Sequence, residues 1–424
     1  MSVEQVDTLI VGGGQAGLAM SEHLSKSGIQ HLVLERHRIA ERWRSERWDS
    51  LVANGPAWHD RFPGMTFADV DADGFATKEQ VAEYFVAYAK HFDAPVRTGV
   101  EVLSVQRLVG RLGFRVETST GVIEAISVVA ATGAFQDPIV PAVVPDQAGL
   151  LQIHSSSYRN PEQLAEGAVM VVGAGSSGSQ IADELQRCGR QVYLSVGPHQ
   201  RPPRSYRGRD FCWWLGVLGK WDAAASAPGT EHVTIAVSGA YGGNTMDFRR
   251  LASEGVILVG RTDSCTNGVL SFAQNLVQNI DEGDAYYLSL LDEADAYVDA
   301  NGLELPEEPS ARSVVASSNC INNPLRTLNL KEAGVTTIIW ATGYAMDYSW
   351  LQVDAFDTGN NPDHQRGVSK DPGVYFLGLA WQSRRGSSFI WGVWHDAKYL
   401  ADHIVTQRTY LQHHLSADKN KKQT

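Results

Sequence analysis

A pair of glycine-rich turns constrains this chain more than any other feature of its sequence. One spans residues 12–17 and the other residues 173–178, and each has glycine at its first, third and sixth positions. Each follows a run of β-branched and aliphatic residues and precedes apolar residues at helical spacing, which predicts a strand, a tight turn and a helix. Such a unit offers free backbone N–H groups and the positive end of a helix dipole to a pyrophosphate. The pair therefore predicts an α/β protein with two Rossmann-like dinucleotide-binding domains.

The first turn contains every element of a dinucleotide site. Gly12 permits the tight turn, Gly14 lets the backbone approach a pyrophosphate, and Gly17 lets the helix pack closely on the strand. Glu35 ends the next predicted strand, where a carboxylate accepts the ribose hydroxyls of FAD or NAD and repels a 2′-phosphate. The turn does not separate these cofactors, but its N-terminal place favours FAD by analogy with two-dinucleotide flavoproteins. The predicted FAD contacts also include Gln15, Ala16, Arg36, Thr132, Gly133, Gly378 and Leu379.

The second turn lacks that acid. Gly197 follows the next predicted strand at the place of the acid, and arginines come after it. An absent acid with nearby guanidinium groups favours a 2′-phosphate, so the sequence predicts NADPH here, held by Arg201 and Arg204. The alternative is that these arginines lie in a solvated loop or pair with Asp210. The predicted pyrophosphate contacts are Gly173, Gly175, Ser176, Ser177 and Gly178.

A repeated segment indicates how the two domains are arranged. Ala-Thr-Gly ends one predicted strand at residues 131–133 and another at residues 341–343. The repeat predicts that the NADPH domain is inserted into the FAD domain. Residues 1–164 and 345–424 then bind FAD, and residues 165–344 bind NADPH. We interpret residues 207–325, with their adjacent Trp pair, helical stretch and loops, as a lid or substrate-side elaboration of the NADPH domain.

Amino-acid composition limits the kinds of molecule that the 424-residue chain is expected to bind. The net charge of -12 argues against a nucleic-acid surface, and no apolar run approaches the roughly 20 residues that span a bilayer. The four cysteines have neither a CxxC pair nor metal-ligand spacing. The sequence therefore predicts no metal site, no redox-active disulfide and a reducing, cytoplasmic location. Small molecules are the expected partners, and a homodimer is left open.

The segment just before the second turn carries a family resemblance. It is similar to FxGxxxHxxxY/F, the fingerprint of the flavin-containing monooxygenases: His154 and Tyr158 match, whereas Ala148 and Leu150 stand where the pattern has Phe and Gly. The chain most resembles the small bacterial branch that is also similar to plant auxin-forming monooxygenases. Baeyer–Villiger enzymes are similar too but carry Trp at the position of Tyr158, which makes ketone oxidation the less favoured branch.

The resemblance implies a function. NADPH reduces FAD, reduced flavin adds O2 at C4a to give a hydroperoxide, and a soft nitrogen or sulfur nucleophile, with aromatic heterocycles among the options, takes the distal oxygen. Asn54 matches a family Asn beside the flavin C4a edge, and Trp43 and Val102 resemble family FAD contacts. Asn54-Gly55-Pro56 is also typical of a plain turn. A non-oxygenating NADPH–flavin reductase and a Baeyer–Villiger enzyme remain as alternatives.

Aromatic side chains are candidate walls for a water-excluding pocket, with ordinary core packing as the alternative. The candidates are Trp213, Trp214, Trp381, Phe389, Trp391 and Trp394.

Overall fold

The structure, a computed structural model, describes residues 3–224 and 235–421, with side chains of the last helix described through residue 413. Before the two units meet, the elements are β1 (Glu4–Val11), α1 (Gln15–Lys26), β2 (His31–Glu35), α2 (Glu41–Ser45), α3 (Lys78–His91), β3 (Val96–Thr98), β4 (Val102–Arg107), β5 (Phe114–Thr118), β6 (Gly121–Ala130) and β7 (Asp137–Pro138). Within the described ranges, none of the helices combines the length and the apolar character that a membrane span requires.

The middle of the chain forms the second unit. Its elements are β8 (Leu151–His154), β9 (Ala168–Val172), α4 (Ser176–Arg187), β10 (Val192–Ser195), β11 (Ser205–Tyr206), β12 (Arg209–Asp210), α5 (Phe211–Val217), α6 (Ala240–Gly243), α7 (Phe248–Ser253), β13 (Ile257–Val259), β14 (Thr262–Thr266), β15 (Val269–Phe272), α8 (Leu276–Asn301), α9 (Asn319–Asn322), β16 (Thr327–Asn329) and β17 (Val335–Trp340). The chain then returns through β18 (Tyr344–Ala345), β19 (Leu351–Gln352), β20 (His364–Gln365), β21 (Val368–Ser369), β22 (Val374–Phe376) and α10 (Ile390–Lys421).

The two units share one sheet topology. The first contains parallel strands in the order β3-β2-β1-β6-β22, and the second contains parallel strands in the order β13-β10-β9-β17-β8. Each also carries an antiparallel meander, β4-β5-β6 in the first unit and β14-β15-β16 in the second. The predicted fold, two Rossmann-like units with the second inserted into the first, is confirmed.

Local sequence explains where the helices that border the site begin. Gly14 and Gly175 are the extended residues that precede α1 and α4, and neither offers a side chain to the first turn. The free N–H groups of both helices therefore face the loop side, where a pyrophosphate binds. In contrast, α3 begins with a capping box, in which Thr77 accepts from the backbone N–H of Gln80 and the Gln80 side chain accepts from Thr77.

The chain passes from the first unit to the second at an earlier residue than the predicted domain boundary. Strand β8 pairs in parallel with β17, so Leu151–His154 belongs to the second sheet, although the boundary was placed after residue 164. The chain leaves the first unit through β7 and returns through β18. These two segments pair antiparallel, with Pro138 opposite Tyr344. Strands β7 and β18 mark where the chain leaves and re-enters the first unit, and the next strand, β8, already lies in the second sheet. The insertion therefore begins directly after β7.

The predicted lid over residues 207–325 is also corrected. Strand β13 lies in the core sheet of the second unit, and β14 and β15 correspond to β4 and β5 of the first. The additions to the basic fold are the segment between β10 and α7 and the part from α8 to α9. Residues 225–234 of the predicted lid lie outside the described residues.

Candidate cofactor-binding and active site

The first glycine turn is packed so that only one of its glycines faces open space. A methyl group on Gly12, whose φ is +114°, would lie 2.4 Å from the carbonyl oxygen of Ala131, and one on Gly17 would lie 1.9 Å from the oxygen of Gly12. A methyl group on Gly14 would meet no protein atom within 4 Å. The turn therefore holds β1 and α1 in close contact and leaves the backbone at Gly14 accessible to a phosphate.

Glu35 lies directly beside this turn. Its Oε2 accepts from the backbone N–H of Gly13 at 2.8 Å, and its Oε1 accepts from that of His37 at 2.9 Å. Arg36 is exposed, with its guanidinium 4.0 Å from Glu101. The carboxylate thus stands where the ribose of a dinucleotide passes the end of the second strand.

Two pairs of the other residues predicted at the first site line the same edge of the sheet. Gln136 donates from Nε2 to Oγ1 of Thr132 and to the carbonyl oxygen of Gly133, both at 2.9 Å. The backbone N–H groups of Gly378 and Leu379 donate to Oε1 of Gln382 at 3.0 and 3.3 Å. Three further predicted contacts lie elsewhere: Ala16 in the first turn of α1, Val102 at the start of β4, and Trp43 between the hydrophobic clusters of the two units.

Gln15 links this turn to the C-terminal segment. It begins α1, and its Nε2 donates to the carbonyl oxygen of Ser388 at 2.8 Å, just before α10. The open backbone at Gly14, the carboxylate of Glu35 and the N-terminus of α1 together fit the pyrophosphate and ribose of FAD.

The second glycine turn repeats the first in its close contacts. Gly173 has φ +112°, and a methyl group there would lie 2.4 Å from the carbonyl oxygen of Ala341. One on Gly178 would lie 1.9 Å from the oxygen of Gly173. Gly175, Ser176 and Ser177 form the start of α4, where the Ser176 hydroxyl donates to the carbonyl oxygen of Ile235 at 2.8 Å. The second turn fits a pyrophosphate on the same grounds as the first.

Strand register shows which residue takes the place of Glu35 in the second unit. Val11 lies opposite Leu34 in the first sheet, and Val172 lies opposite Ser195 in the second. The equivalent of Glu35 is therefore Val196, one residue earlier than the predicted Gly197. Val196 is fully buried and apolar, so no carboxylate at this place repels a 2′-phosphate.

The two arginines predicted to hold that phosphate form ion pairs with carboxylates of the protein itself. Arg201 is 2% exposed, donates from Nε and Nη2 to Oδ1 of Asp284 at 2.8 and 2.5 Å, and lies over the ring of Tyr287. Its guanidinium is thus committed to a buried carboxylate. This corrects the prediction for Arg201.

Arg204 has the same kind of environment. It pairs with Asp210 through Nε at 3.0 Å and through Nη2, and its guanidinium lies between the rings of Phe75 and Phe211. Its Nη1 donates to the backbone oxygen of Asn54 at 2.6 Å. The alternative of a pair with Asp210 is therefore the one that holds for Arg204.

Asn54 lies where the two units meet. Its Oδ1 accepts from Nε2 of Gln180, on α4, at 2.9 Å, and Gln180 also donates to the carbonyl oxygen of Val237 at 2.6 Å. Because Oδ1 accepts this bond, the two N–H groups of the Asn54 amide are presented elsewhere. No sequence pattern indicates Gln180, because its contact with Asn54 depends on how the two units pack together.

The fingerprint residues join the linker to the second unit. His154 is buried and contacts the carbonyl oxygen of Gly343 through Nε2 at 3.0 Å and Ser156 through Nδ1 at 2.9 Å. Burial lowers the pKa of His154. Tyr158 is fully buried and donates to Glu184 on α4 at 2.7 Å. Both side chains therefore anchor the segment before the second turn.

Half of the six candidate wall aromatics have other roles. Trp214 is buried and donates to the carbonyl oxygen of Tyr206, and Trp394 donates to Glu22. Trp213 packs beside Trp214. These three belong to the packing of their own regions, whereas Phe389 and Trp391 pack against Trp221 of the second unit.

Comparisons with known proteins agree with this arrangement. A family profile described as pyridine nucleotide-disulphide oxidoreductase matches residues 9–207. A Geobacillus kaustophilus protein called uncharacterized oxidoreductase CzcO-like is 35% identical over 405 residues, which cover 94% of this chain and 98% of that protein. The Arabidopsis thaliana protein called probable indole-3-pyruvate monooxygenase YUCCA1 is 31% identical over 44% of this chain and 46% of its own.

A solved structure matches nearly the whole chain. The flavin-containing monooxygenase from Stenotrophomonas maltophilia superposes with a TM-score of 0.65 at 18% identity, covering 96% of this chain and 99% of that one. The resemblance to the flavin-containing monooxygenases, in the branch similar to the plant enzymes, is confirmed, and FAD and NADPH are the cofactors of that family. The chain therefore belongs to the CzcO-like oxidoreductases, and it has the two-dinucleotide fold of the flavin-containing monooxygenases.

Proposed function

We propose that this protein is an NADPH- and O2-dependent flavoprotein monooxygenase that oxygenates a nitrogen or sulfur centre of a small molecule. The observation that carries the proposal is the position of Asn54. It matches the family residue beside the reactive edge of the flavin, and its side chain is bound by Gln180 on the helix of the second glycine turn. One amide therefore connects the first unit to the helix of the second glycine turn, and this junction is where we propose that hydride transfer and oxygen transfer take place.

FAD would bind along the edge of the first sheet. The backbone at Gly12, Gly14 and Gly17 would hold its pyrophosphate, and Glu35 would accept the ribose hydroxyls. The remaining contacts we propose are those predicted from the sequence, Gln15, Ala16, Arg36, Trp43, Val102, Thr132, Gly133, Gly378 and Leu379.

NADPH would bind at the second turn, with its pyrophosphate against Gly173–Gly178. Because Arg201 and Arg204 are engaged elsewhere, a different cation is needed for the 2′-phosphate. Arg261 is exposed and follows β13, the strand beside β10 at the same sheet edge. In a Rossmann unit this edge borders the adenosine ribose, so we propose Arg261 for this contact. Arg261 was not predicted as a contact, because residues 207–325 were interpreted as a lid.

The protein's own part in the reaction is to donate hydrogen bonds and exclude water. When bound, reduced FAD would supply the activation of O2. The N–H groups of Asn54, which have no acceptor among the described residues, would donate hydrogen bonds without offering an ionisable proton, and this suits a site that must avoid release of hydrogen peroxide. The bond from Gln180 keeps the amide in the orientation that presents these donors.

The cysteines support oxygen transfer over disulfide reduction. All four of them, Cys188, Cys212, Cys265 and Cys320, are free thiols in the described structure. Each comes from the inserted second unit, and Cys212 is buried with its pKa raised well above the usual value by that burial. A disulfide reductase needs a reactive thiol pair at the flavin.

Rapid mixing with oxygen tests the proposal. The FAD-loaded protein is reduced anaerobically with NADPH and mixed with O2 in a stopped-flow spectrometer. We expect an absorbing flavin–oxygen adduct before the oxidised spectrum returns, and faster decay of that adduct when a sulfide or amine is added. Direct return to oxidised flavin with stoichiometric hydrogen peroxide, whatever the added nucleophile, would contradict oxygenation. Quinone turnover without the adduct would favour the reductase alternative.

A further inference from the structure

The second unit contains a polar cavity that the proposed reaction does not use. Its volume is about 380 Å³, which is within the range of small-molecule sites. Its walls come from the end of α4, the segment after β10, the loop before α7, α7 itself, the middle of α8 and the segment between α8 and α9. The charged and hydroxyl-bearing side chains that line it include Arg187, Arg201, Asp247, Arg250, Ser310 and Ser313.

The cavity is separate from the pyrophosphate site of the second glycine turn. Ser176 begins α4 beside that turn, whereas Arg187 at the cavity is the last residue of the same helix. Because α4 has 12 residues, its two ends are roughly 17 Å apart along the axis. An occupant of the cavity would therefore not be held by the glycine turn.

One buried carboxylate lies beside two of the three arginines at the cavity. Oδ2 of Asp183, on α4, accepts from Nε of Arg187 at 2.9 Å, and its Oδ1 lies 3.6 Å from Nη2 of Arg250. Asp183 is 5% exposed, and its Oδ1 has no hydrogen-bond partner among the described residues. A carboxylate placed in this way orients both guanidinium groups and leaves them with donors to spare.

Each of the three guanidinium groups keeps N–H donors that no described residue accepts. Arg187 donates only through Nε. Arg250 donates through Nη1 to the two carboxylate oxygens of Glu254 at 2.8 and 2.7 Å and leaves Nε and Nη2 unused. Arg201 donates through Nε and Nη2 to Asp284 and leaves Nη1 unused. The carboxylates that accept these bonds do not line the cavity.

The groups that face the cavity favour an anion. Its lining contains three guanidinium groups and one carboxylate, that of Asp247. Oδ1 of Asp247 accepts from the backbone N–H groups of Arg249 and Arg250 at 2.8 and 3.2 Å, so half of this carboxylate is already used to cap α7. The hydroxyls of Ser310 and Ser313 make no hydrogen bond to a described residue and add two further donors. Donors therefore outnumber acceptors around the cavity.

We propose that this cavity binds a phosphate group and that Arg187, Arg201 and Arg250 provide its charged contacts. A phosphate group offers three strong acceptor oxygens and a charge of about -2 near neutral pH, which suits three guanidinium groups better than a carboxylate with two oxygens and one charge. The volume of the cavity admits either inorganic phosphate or a small phosphate monoester. The site goes beyond the proposed function, because it is not part of either glycine turn or of the junction at Asn54.

Calorimetric titration of the FAD-loaded protein, saturated with NADP⁺ in a phosphate-free buffer, tests this site. The dinucleotides occupy the two glycine turns, so an added anion must bind elsewhere. The probes are inorganic phosphate, glycerol 3-phosphate and acetate at constant ionic strength. We expect one equivalent of a phosphate probe to bind, and acetate to bind at least about tenfold more weakly, because it lacks the third acceptor oxygen. Tighter binding of glycerol 3-phosphate would identify a monoester as the ligand, and tighter binding of inorganic phosphate would identify the free ion.

Substitution of the arginines locates the binding. Arg187→Met and Arg250→Met keep an extended side chain but remove the donors, and each should weaken phosphate binding about tenfold, the effect of one charge-assisted hydrogen bond. Both arginines are partly exposed, and Asp183 keeps one of them in either variant, so the fold should be retained. Arg111→Met, at an arginine that pairs with Glu124 in the first unit, is the matched control and should leave phosphate binding unchanged.

Ser313→Glu keeps the test decisive if the arginine variants lose stability. Ser313 is exposed and lies outside the helices and strands, so the change should be tolerated. A carboxylate at this position should weaken phosphate binding at least about tenfold through charge repulsion. The absence of saturable phosphate binding would overturn the inference, as would unchanged phosphate affinity in Ser313→Glu or in both Met variants. Equal affinities for acetate and phosphate in the unaltered protein would overturn the assignment of a phosphate group.

Discussion

Nε2 of Gln180 donates a hydrogen bond to Oδ1 of Asn54 at 2.9 Å and so joins the helix of the second glycine turn to the first unit. Arg204 adds a second connection through the backbone oxygen of Asn54 at 2.6 Å. Both contacts hold the acceptor groups of Asn54 from the side of the second unit. The amide N–H groups are therefore the part of the residue left for a ligand.

Replacement of Asn54 by Ala should uncouple NADPH use from product formation. The variant should consume NADPH at a similar rate but release more of the reducing equivalents as hydrogen peroxide, because the donors that protect the oxygen adduct are lost. Gln180→Leu should shift the balance in the same direction to a smaller extent. Parallel assays of NADPH, peroxide and product measure the effect. Gln186→Ala on the same helix is the control, and unchanged coupling in Asn54→Ala would remove this residue from the reaction.

Substitutions at two glycines of the first turn should distinguish an effect on FAD binding from an effect on folding. Gly14→Ala places a methyl group in open space at φ -91°, so the unfolding free energy of the apoprotein should change by less than about 1 kcal/mol. FAD affinity should nevertheless fall at least tenfold, since the methyl group blocks the approach of a pyrophosphate. Gly12→Ala should instead destabilise the apoprotein by roughly 1–3 kcal/mol through backbone strain. Chemical denaturation and FAD titration test both; equal FAD affinity in Gly14→Ala would contradict the assignment.

Structural features that depend on residues close together in the sequence could be predicted. The two turns, Glu35 beside the first turn and the insertion of one unit into the other follow from strand–turn–helix patterns and from a repeated Ala-Thr-Gly segment. The place of Val196 was missed by only one residue, since strand register decides it. Strand β8 was assigned to the wrong unit because its partner β17 lies far along the chain.

The roles of the arginines were not predictable in the same way. A guanidinium near a nucleotide turn binds either a phosphate or a carboxylate, and the choice depends on which acids the fold brings close. Asp284 reaches Arg201 from α8, a helix for which the sequence suggested no position. Asp210 is closer in sequence to Arg204, which is why that pair was already an alternative.

Arg204 should contribute more to stability than to coenzyme choice. Arg204→Ala leaves the carboxylate of Asp210 partly buried without its partner, which typically costs about 3–5 kcal/mol. We expect a clear fall in the unfolding free energy, measured in urea, with similar proportional changes in KM for NADPH and NADH. Arg209→Ala, at an exposed position on the same hairpin, is the control. A selective rise in the NADPH KM of a stable Arg204→Ala protein would restore the phosphate role.

Acid should destabilise the protein through histidines that are buried in the neutral form. Burial lowers the pKa of His23, His31 and His154 below the usual value. The unfolded chain therefore binds more protons than the folded protein as pH falls below about 6.5, and stability present above that pH is lost as pH approaches the folded pKa values. In His154→Gln, whose amide still donates to Gly343, the loss between about pH 7.5 and pH 5.5 should be smaller. Urea titrations at both values test this, and an equal loss would contradict it.

Coenzyme selectivity should depend on Arg261. In the absence of a carboxylate at Val196, a cation at the end of β13 is what favours the additional phosphate of NADPH. Arg261→Ala should raise the NADPH KM by about tenfold, equivalent to about 1.4 kcal/mol for one exposed charge-assisted contact. The NADH KM should change little, because NADH has no phosphate at that place. Arg115→Ala, an exposed arginine on β5 of the first sheet, is the control. Steady-state kinetics with both coenzymes give the ratio, and parallel changes in the two KM values would show that Arg261 does not contact the 2′-phosphate.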